Sequence, residues 1–123
     1  MINRIDLKKS LTVLDNSEKK VDSVLAVAQF RYPIQRALKI NRKGFLEMIN
    51  KKYKYCRSQD LKNYYHDAGV FAWYKTDNFF KKINKNIITV PYVLPDKRVQ
   101  DIDTLEDWKI SEFKYKFIKR VKK

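Results

Sequence analysis

The sequence has little glycine, cysteine or histidine, and each shortage excludes a class of site. A single cysteine, Cys56, excludes an internal disulfide framework and any cysteine-based zinc cluster, and it fits a reducing compartment. The only glycines are Gly44 and Gly69, and neither lies in a Gly-rich loop of the kind whose backbone amides approach phosphate. If the chain handles a nucleotide, we expect most of the nucleotide site to lie outside it.

Long apolar runs are also absent. No stretch approaches the roughly 20 residues that a membrane-spanning helix needs. The N-terminal MINRIDLKKS lacks the apolar centre of a secretory signal, so we expect a cytoplasmic protein. Hydrophobic residues still make up 44% of the 123 residues, which is enough for one compact core. We therefore expect a single folded domain over residues 1–123.

The net charge of +14 is the strongest feature of the composition, and it suggests a polyanion as one possible partner. Lysine outnumbers arginine by 21 to 7, and the lysines are scattered instead of lining one predicted face. This pattern favours a solvated surface over nucleic-acid binding. A basic nucleic-acid-binding module stays as an alternative, which a steep salt dependence of binding would reveal. The sign of the local charge changes between Asp96 and Asp107, where five acidic residues outnumber two basic ones.

Apolar spacing predicts helices alternating with strands. Ile5, Leu7, Leu11 and Leu14 form a helical stripe that ends near Asp15. Strands are predicted over 23–30, 35–40, 45–49, 68–74 and 87–94, the second and third joined as a hairpin through 41–44. Pro91 places the last strand at a sheet edge or bulge. This order predicts an α/β fold.

Two further helices are predicted, one over 77–83 with Thr76 as its cap, and a final one beginning at Thr104. Thr104-Leu105-Glu106-Asp107 resembles a capping box. Apolar residues then recur at helical spacing, at Ile110, Phe113, Phe117 and Val121.

Asp101 and Asp103 form the first candidate site. In an extended segment they project from one face, so both can reach one hard cation such as Mg²⁺, while Ile102 points into the core. The helix that follows offers a positive dipole end to phosphate. Aspartate is also common in turns and before helices, so a capping role is the alternative.

Two other stretches gather polar side chains between predicted elements. Tyr32-Pro33-Ile34-Gln35-Arg36-Ala37-Leu38 carries Gln35 and Arg36, and an arginine can bind a carboxylate in a bidentate fork. The second runs from Arg57 through Gln59 and on to Tyr64-Tyr65-His66-Asp67-Ala68-Gly69. Ordinary loop chemistry is the alternative for both. His66, the only histidine, is either a proton carrier or a structural hydrogen-bonding residue.

Together the motifs YPIQRAL, RSQDL, YHDAG and VQDIDTLEDWK with its trailing EFKYK resemble the C-terminal portion of the acylneuraminate cytidylyltransferase family, specifically the pseudaminic acid cytidylyltransferases. The resemblance runs from about Leu7 to Lys116. It implies a nucleotide-diphospho-sugar transferase-like mixed sheet with flanking helices, CTP-dependent transfer to an acidic nine-carbon (nonulosonic) sugar, Mg²⁺ dependence, and usually a homodimer whose subunits help to complete each other's sites.

The resemblance also implies roles for particular residues. Asp101 and Asp103 match the metal-binding D-x-D, and Arg36 and Arg57 match basic positions near the acidic sugar. The substrate-binding candidates of the two polar stretches are Gln35, Arg36, Arg57 and Gln59. Pseudaminic acid is the favoured sugar, with legionaminic and sialic acids open.

One departure is as informative as the match. The family's N-terminal strand and Pro-Ala-Arg-Gly-Gly-Ser-Lys type loop, which holds the CTP phosphates, have no counterpart here, so the chain corresponds to roughly the second half of a family member. We therefore expect a truncated or split enzyme that is inactive alone and associates with itself or with an N-terminal half. A noncatalytic remnant that only associates is the alternative.

Overall fold

The computed structural model describes residues 1–81 and 86–121 and divides the chain into two compact units. We call Met1–Ala28 with Asp67–Lys123 the sheet unit, and Gln29–His66 the hairpin unit. The elements are, in chain order, α1 (Arg4–Asp15), β1 (Ser23–Gln29), β2 (Leu38–Ile40), β3 (Leu46–Met48), β4 (Tyr65–Tyr74), α2 (Thr76–Lys81), β5 (Thr89–Leu94) and α3 (Leu105–Val121), with 3-10 helices at Ile34–Arg36, Lys51–Tyr53, Ser58–Asp60 and Asp96–Arg98. Both junctions between the units fall within or next to strands, so no linker composition marks them.

The sheet unit contains a three-stranded sheet in the order β4, β1, β5. β1 and β5 run parallel, in register from Ser23 opposite Thr89 to Ala28 opposite Leu94. β5 lies at an edge of the sheet, as Pro91 predicts. Proline has no amide hydrogen to donate, and an edge strand needs backbone hydrogen bonds on only one of its two sides. The predicted α/β class is confirmed.

The core of the sheet unit forms around β1, whose Val24, Ala26 and Ala28 are fully buried. Alanine at two of these positions leaves room for side chains from the neighbouring elements to pack closely on the strand. One cluster joins Ala26 and Ala28 to Leu94 and Val99, and another joins Val24 to residues that include the end of α1. Burying one such valine or leucine contributes about 1.5–3 kcal/mol.

The first helix ends where the apolar stripe predicts, but Leu14 is the only residue of that stripe that is buried. Asp6, Ser10 and Leu14 are buried, whereas Ile5 is 55% exposed. Ser10 is buried because its Oγ accepts a hydrogen bond from the Trp73 indole Nε1 at 2.9 Å. The polar residues of this helix therefore enter the core with partners that come from distant parts of the chain.

The predicted hairpin is confirmed, with shorter strands. β2 and β3 are antiparallel, with Leu38 opposite Met48 and Ile40 opposite Leu46. The loop closes through the Asn41 amide, which donates to the Phe45 carbonyl at 2.9 Å. Gly44 has φ +81°, a conformation that glycine adopts without strain. The first strand is shorter because residues 34–36 form a 3-10 helix instead.

The two later helices differ from each other in how well they were predicted. Thr76 is the first residue of α2 and not its cap, and the predicted end at Ile83 lies outside the described residues. α3 begins directly after Thr104, as predicted, yet none of its described residues is buried, and Phe113 is 71% exposed. In the described ranges, no helix is both long enough and apolar enough to cross a membrane.

Candidate functional site

Within the hairpin unit, the structure brings together the two predicted polar stretches. Gln35 and Arg36 lie in the 3-10 helix Ile34–Arg36, and Gln59 lies in the 3-10 helix Ser58–Asp60, with Arg57 at its N-cap position. Arg36 Nη1 donates to Ser58 Oγ at 3.4 Å, across 22 residues of sequence. The YPIQRAL and RSQDL motifs are therefore neighbours in space.

A cleft lies between these stretches. Gln59 lines a cavity of about 270 Å³ together with Tyr32 and Tyr64. Arg36 lines an adjoining recess of about 500 Å³ that shares Tyr32 and Ser58 with it. A volume of several hundred cubic ångströms with aromatic walls and a few polar groups is typical of small-molecule sites. This cleft can hold a sugar-sized ligand beside a guanidinium group.

Gln35 lines neither cavity and instead joins the two stretches. Its Nε2 donates to the Lys62 carbonyl at 2.7 Å, which ties the two stretches together a second time. Its Oε1 is buried and accepts no hydrogen bond from the described part of the chain. The structure therefore gives Gln35 a supporting position, whereas Gln59 and Arg36 reach the cavities.

Arg36 and Arg57 are both exposed, and neither pairs with a carboxylate within residues 1–81 and 86–121. A guanidinium without an acidic partner keeps its two-pronged donor geometry for an incoming carboxylate. Arg57 lies outside the lining of both cavities. Arg36 is consequently the better placed of the two to contact a ligand in the recess.

His66 packs as an aromatic residue in the hairpin unit. Its ring lies 4.9 Å from the Phe30 ring, centroid to centroid, at a tilt of 56°. The side chain is half-buried. This contact assigns His66 a place in the packing beside the cleft.

Asp101 and Asp103 lie in the sheet unit, in an irregular segment between the 3-10 helix Asp96–Arg98 and α3. Both are exposed. The prediction that Ile102 points into the core is wrong, because Ile102 is 45% exposed and the buried residue of this segment is Val99. The segment bends at Asp103 and Thr104 and does not continue as a strand.

A second predicted motif lies beside Asp101. Gly69 in β4 has φ +63°, and a Cβ atom at this position would lie 3.9 Å from Asp101 Oδ1. Asp67 Oδ1 accepts a hydrogen bond from the Gly69 amide at 2.8 Å, which fixes this turn of the strand. Any side chain at Gly69 would be strained and would enter the space next to the Asp101 carboxylate. Gly69 of the YHDAG motif and Asp101 of the VQDID motif are therefore neighbours within the sheet unit.

The predicted capping box at the start of α3 is present. The Asp107 amide donates to Thr104 Oγ1 at 3.2 Å, and Asp107 Oδ2 accepts from the Thr104 amide at 2.9 Å. Hydrogen bonding from Thr104 lowers the pKa of the Asp107 carboxyl below its ordinary value. Because this anion already occupies the helix terminus, less positive potential is available there for a phosphate than the sequence suggests.

Asp101 and Asp103 are the candidate ligands for a divalent cation. Among the described residues, no group of three or more His, Cys, Asp or Glu side chains is arranged to hold a metal ion. Mg²⁺ in phosphate-handling sites is commonly bound through one or two carboxylates together with substrate phosphates and water. Asp101 and Asp103 supply the number of carboxylates that such an open arrangement needs, and they do not form a closed protein cage.

A lysine that the sequence reading did not single out fixes the segment before Asp101. Lys114 Nζ donates to the Val99 carbonyl at 2.7 Å and to Gln100 Oε1 at 2.9 Å. The signal was present, because Lys114 belongs to the EFKYK motif that contributes to the family resemblance. Its partners could not be read from the sequence, since only the return of α3 over this segment brings them together.

Comparison with known proteins agrees with the motifs. No protein-family profile matches the chain. Two curated relatives are pseudaminic acid cytidylyltransferases of Campylobacter jejuni subsp. jejuni, from serotypes O:2 and O:23/36, each 34% identical over 94% of this chain. The chain spans about half the length of these relatives, 50% in both cases. The resemblance drawn from the motifs is thereby confirmed, because this chain is similar to pseudaminic acid cytidylyltransferases over about half of their length.

Proposed function

We propose that this chain is the C-terminal part of a CTP-dependent cytidylyltransferase that converts an acidic nine-carbon sugar, with pseudaminic acid favoured, to its CMP-sugar. The observation that carries the proposal is the 34% identity to pseudaminic acid cytidylyltransferases over 94% of the chain. The pairing of the YPIQRAL and RSQDL motifs around one cleft supports it.

In the reaction, the anomeric hydroxyl of the sugar loses its proton to solvent and its oxygen attacks the α-phosphorus of CTP; the new oxygen–phosphorus bond forms while the bond from the α-phosphorus to the pyrophosphate oxygen breaks, and pyrophosphate leaves. Arg36, with Arg57 as the alternative, holds the carboxylate of the sugar and so fixes the position of the attacking oxygen. Gln59 offers an amide to the sugar's polar groups from the wall of the same cleft. Gln35 keeps the two stretches in place through Lys62.

Asp101 and Asp103 are the residues that would hold Mg²⁺. When bound, this ion offsets negative charge on the phosphate oxygens. Gly69 keeps the space beside Asp101 free of a side chain. Positioning and electrostatics therefore account for the contribution of this chain to catalysis.

The partner in this proposal is a polypeptide equivalent to the half of the relatives that this chain does not span, and that half supplies the CTP-phosphate loop.

Self-association is the second part of the proposal. Its support is the hairpin, where Leu38, Ile40, Leu46 and Met48 share one face of a two-stranded ribbon and the first three are exposed. Such a ribbon is rarely stable without a covering surface. The cytoplasmic location predicted from the sequence stays a prediction.

The same hairpin favours a second candidate function, association without catalysis. The deciding experiment measures pyrophosphate release from CTP and pseudaminic acid with Mg²⁺, first by this chain alone and then with the missing half of a Campylobacter relative supplied as a fusion. We expect no release by the chain alone and clear release by the fusion. Turnover by the chain alone would overturn the half-enzyme proposal, and a folded but inactive fusion would favour association without catalysis.

A further inference from the structure

The segment from Val99 to Thr104 carries both candidate metal ligands, yet it belongs to no helix or strand. Val99 is its only buried residue. Backbone hydrogen bonds hold its two ends, from the Val99 amide to the Asp96 carbonyl at 3.0 Å and from the Trp108 amide to the Thr104 carbonyl at 3.1 Å, and side-chain contacts hold the residues between. Ligands have to stay within a fraction of an ångström of their working geometry, so whatever fixes this backbone also fixes the site.

Lys114 provides the first attachment. It is half-buried on the inward side of α3, and its ammonium group contacts two oxygens, the Val99 carbonyl at 2.7 Å and Gln100 Oε1 at 2.9 Å. Both distances are those of charge-assisted hydrogen bonds, which are stronger than neutral ones. A solvated lysine would not hold two defined acceptors in this way.

Gln100 extends this attachment toward the helix start. Its Nε2 donates to the Asp101 carbonyl at 3.0 Å and to Asp107 Oδ1 at 3.3 Å. The other carboxylate oxygen of Asp107 accepts from the Asp103 amide at 3.3 Å. The series Lys114, Gln100, Asp107 therefore connects α3 to the main chain on both sides of Asp101.

We propose that Lys114 is a positioning residue for the Asp101 and Asp103 carboxylates. It acts through Gln100 and the Val99 carbonyl and sets the backbone from which both carboxylates reach one divalent cation. The inference rests on the proposed function, because it requires that the two aspartates bind a metal ion. Partners of metal ligands typically change metal affinity by about 10- to 100-fold when they are removed.

The test uses the full chain and Mn²⁺ as a paramagnetic probe. Broadening of the amide signals of Ile102 and Asp103 is followed by NMR during a Mn²⁺ titration. We expect Lys114→Met, which keeps the apolar stem, to need about tenfold more Mn²⁺ for half-maximal broadening. Lys116→Met is the matched control on an exposed face of the same helix and should titrate like the original chain.

Gln100→Leu serves as a second variant and carries the test if Lys114→Met does not fold. It should show a similar shift, and the double variant should show little more than either single variant, because both act on one network. Unchanged Mn²⁺ titration in a folded Lys114→Met or Gln100→Leu variant would overturn the proposal. So would the absence of selective broadening in the original chain.

The two proposals fail in different ways. If the fusion enzyme transfers CMP while Lys114→Met leaves the Mn²⁺ titration unchanged, only the positioning role is lost. If the fusion is inactive while Lys114→Met and Gln100→Leu both shift the Mn²⁺ titration, the positioning role of Lys114 is supported and the proposed function is wrong.

Discussion

The Asp6 carboxylate at the start of α1 accepts hydrogen bonds from the Arg98 guanidinium, 92 residues further along the chain. Arg98 Nη1 lies 3.1 Å from Asp6 Oδ1, and the second prong contacts Oδ2. The Asp6 side chain is 8% exposed and that of Arg98 20%. Arg98 immediately precedes the Val99 segment, so this pair fixes one end of the region that carries Asp101.

We predict that Asp6→Asn lowers the free energy of unfolding by about 1–3 kcal/mol, because the half-buried Arg98 guanidinium loses its counter-charge. Chemical denaturation of the two proteins measures the difference. Glu18→Gln is the control, since Glu18 pairs with Lys20 at 2.8 Å on an open surface, where such pairs contribute at most about 1 kcal/mol. Equal effects of the two changes would contradict a role for the buried pair.

The same pair predicts a pH dependence. Hydrogen bonding from Arg98 holds the pKa of the Asp6 carboxyl below its ordinary value of 3.8, although burial acts in the opposite direction. A depressed pKa in the folded state means that the stabilisation is present above the unfolded value and is lost as the pH falls through the folded one. The stability difference between the original chain and Asp6→Asn should therefore shrink below about pH 4. A constant difference from pH 6 to pH 2 would argue against this assignment.

For the metal ligands, we predict that Asp101→Asn or Asp103→Asn lowers Mg²⁺-dependent CMP transfer by the fusion enzyme about 100-fold or more, since an interaction of several kcal/mol with the phosphate charge is lost. The amide keeps the shape and removes the charge. Asp15→Asn, at the exposed end of α1, is the matched control and should be silent.

A capping role for the two aspartates gives the opposite result, because asparagine is itself a good capping residue. Near-normal transfer by both variants at limiting Mg²⁺ would refute the metal assignment. The structure already assigns the capping of α3 to Thr104 and Asp107, so neither variant should disturb that helix.

For the sugar site, we predict that Arg36→Gln raises the KM for the acidic sugar about tenfold and leaves the KM for CTP unchanged. The reason is the loss of one charge-assisted contact at an exposed position, equivalent to about 1.4 kcal/mol. Arg42→Gln, on the hairpin loop, removes the same charge elsewhere and serves as control. If both variants raise the sugar KM equally, general electrostatic attraction explains the effect, and Arg36 has no specific role.

The hairpin predicts self-association. Ile40→Gln should weaken it about tenfold or more, because burial of one large aliphatic side chain is worth about 1.5–3 kcal/mol. Sedimentation velocity over a concentration series measures the change. Lys39→Gln lies on the opposite face, where Lys39 pairs with Glu47 at 3.6 Å, and should leave association unchanged. A monomeric original chain at high concentration would remove the basis of the prediction.

The sequence predicted what is local in this structure. The bounds of α1, the hairpin loop and the Thr104 capping box each depend on neighbouring residues, and each is present. The burial of Asp6 and Ser10 on α1 could not be predicted from the sequence, because their partners, Arg98 and Trp73, lie 63 to 92 residues away. The contact of Gly69 with the surroundings of Asp101 was hidden for the same reason, since it depends on how β4 lies beside a segment that follows β5.

The site residues were predicted unequally. Motif resemblance selected Arg36 and Gln59, which do line the cleft, and the structure adds that Gln35 joins the two stretches through the Lys62 carbonyl. The orientation of Ile102 was wrong because the extended geometry assumed for Asp101 to Asp103 is replaced by a bend. A bend of this kind leaves no periodic pattern in the sequence. It coincides with the hydrogen bonds that the Asp103 and Thr104 amides donate to the Asp107 carboxylate.

The two ends of the hairpin unit lie next to each other, because the Phe30 amide donates a hydrogen bond to the Tyr64 carbonyl at 2.9 Å. An insertion whose two ends are already joined adds little closure entropy to the domain that carries it. The segment between these ends can therefore change in length or sequence during evolution while the pairing register of β1 and β5 stays the same. For protein engineering, the same geometry makes residues 31–63 a cassette, replaceable by a short turn or by the corresponding stretch of a relative with a different sugar preference.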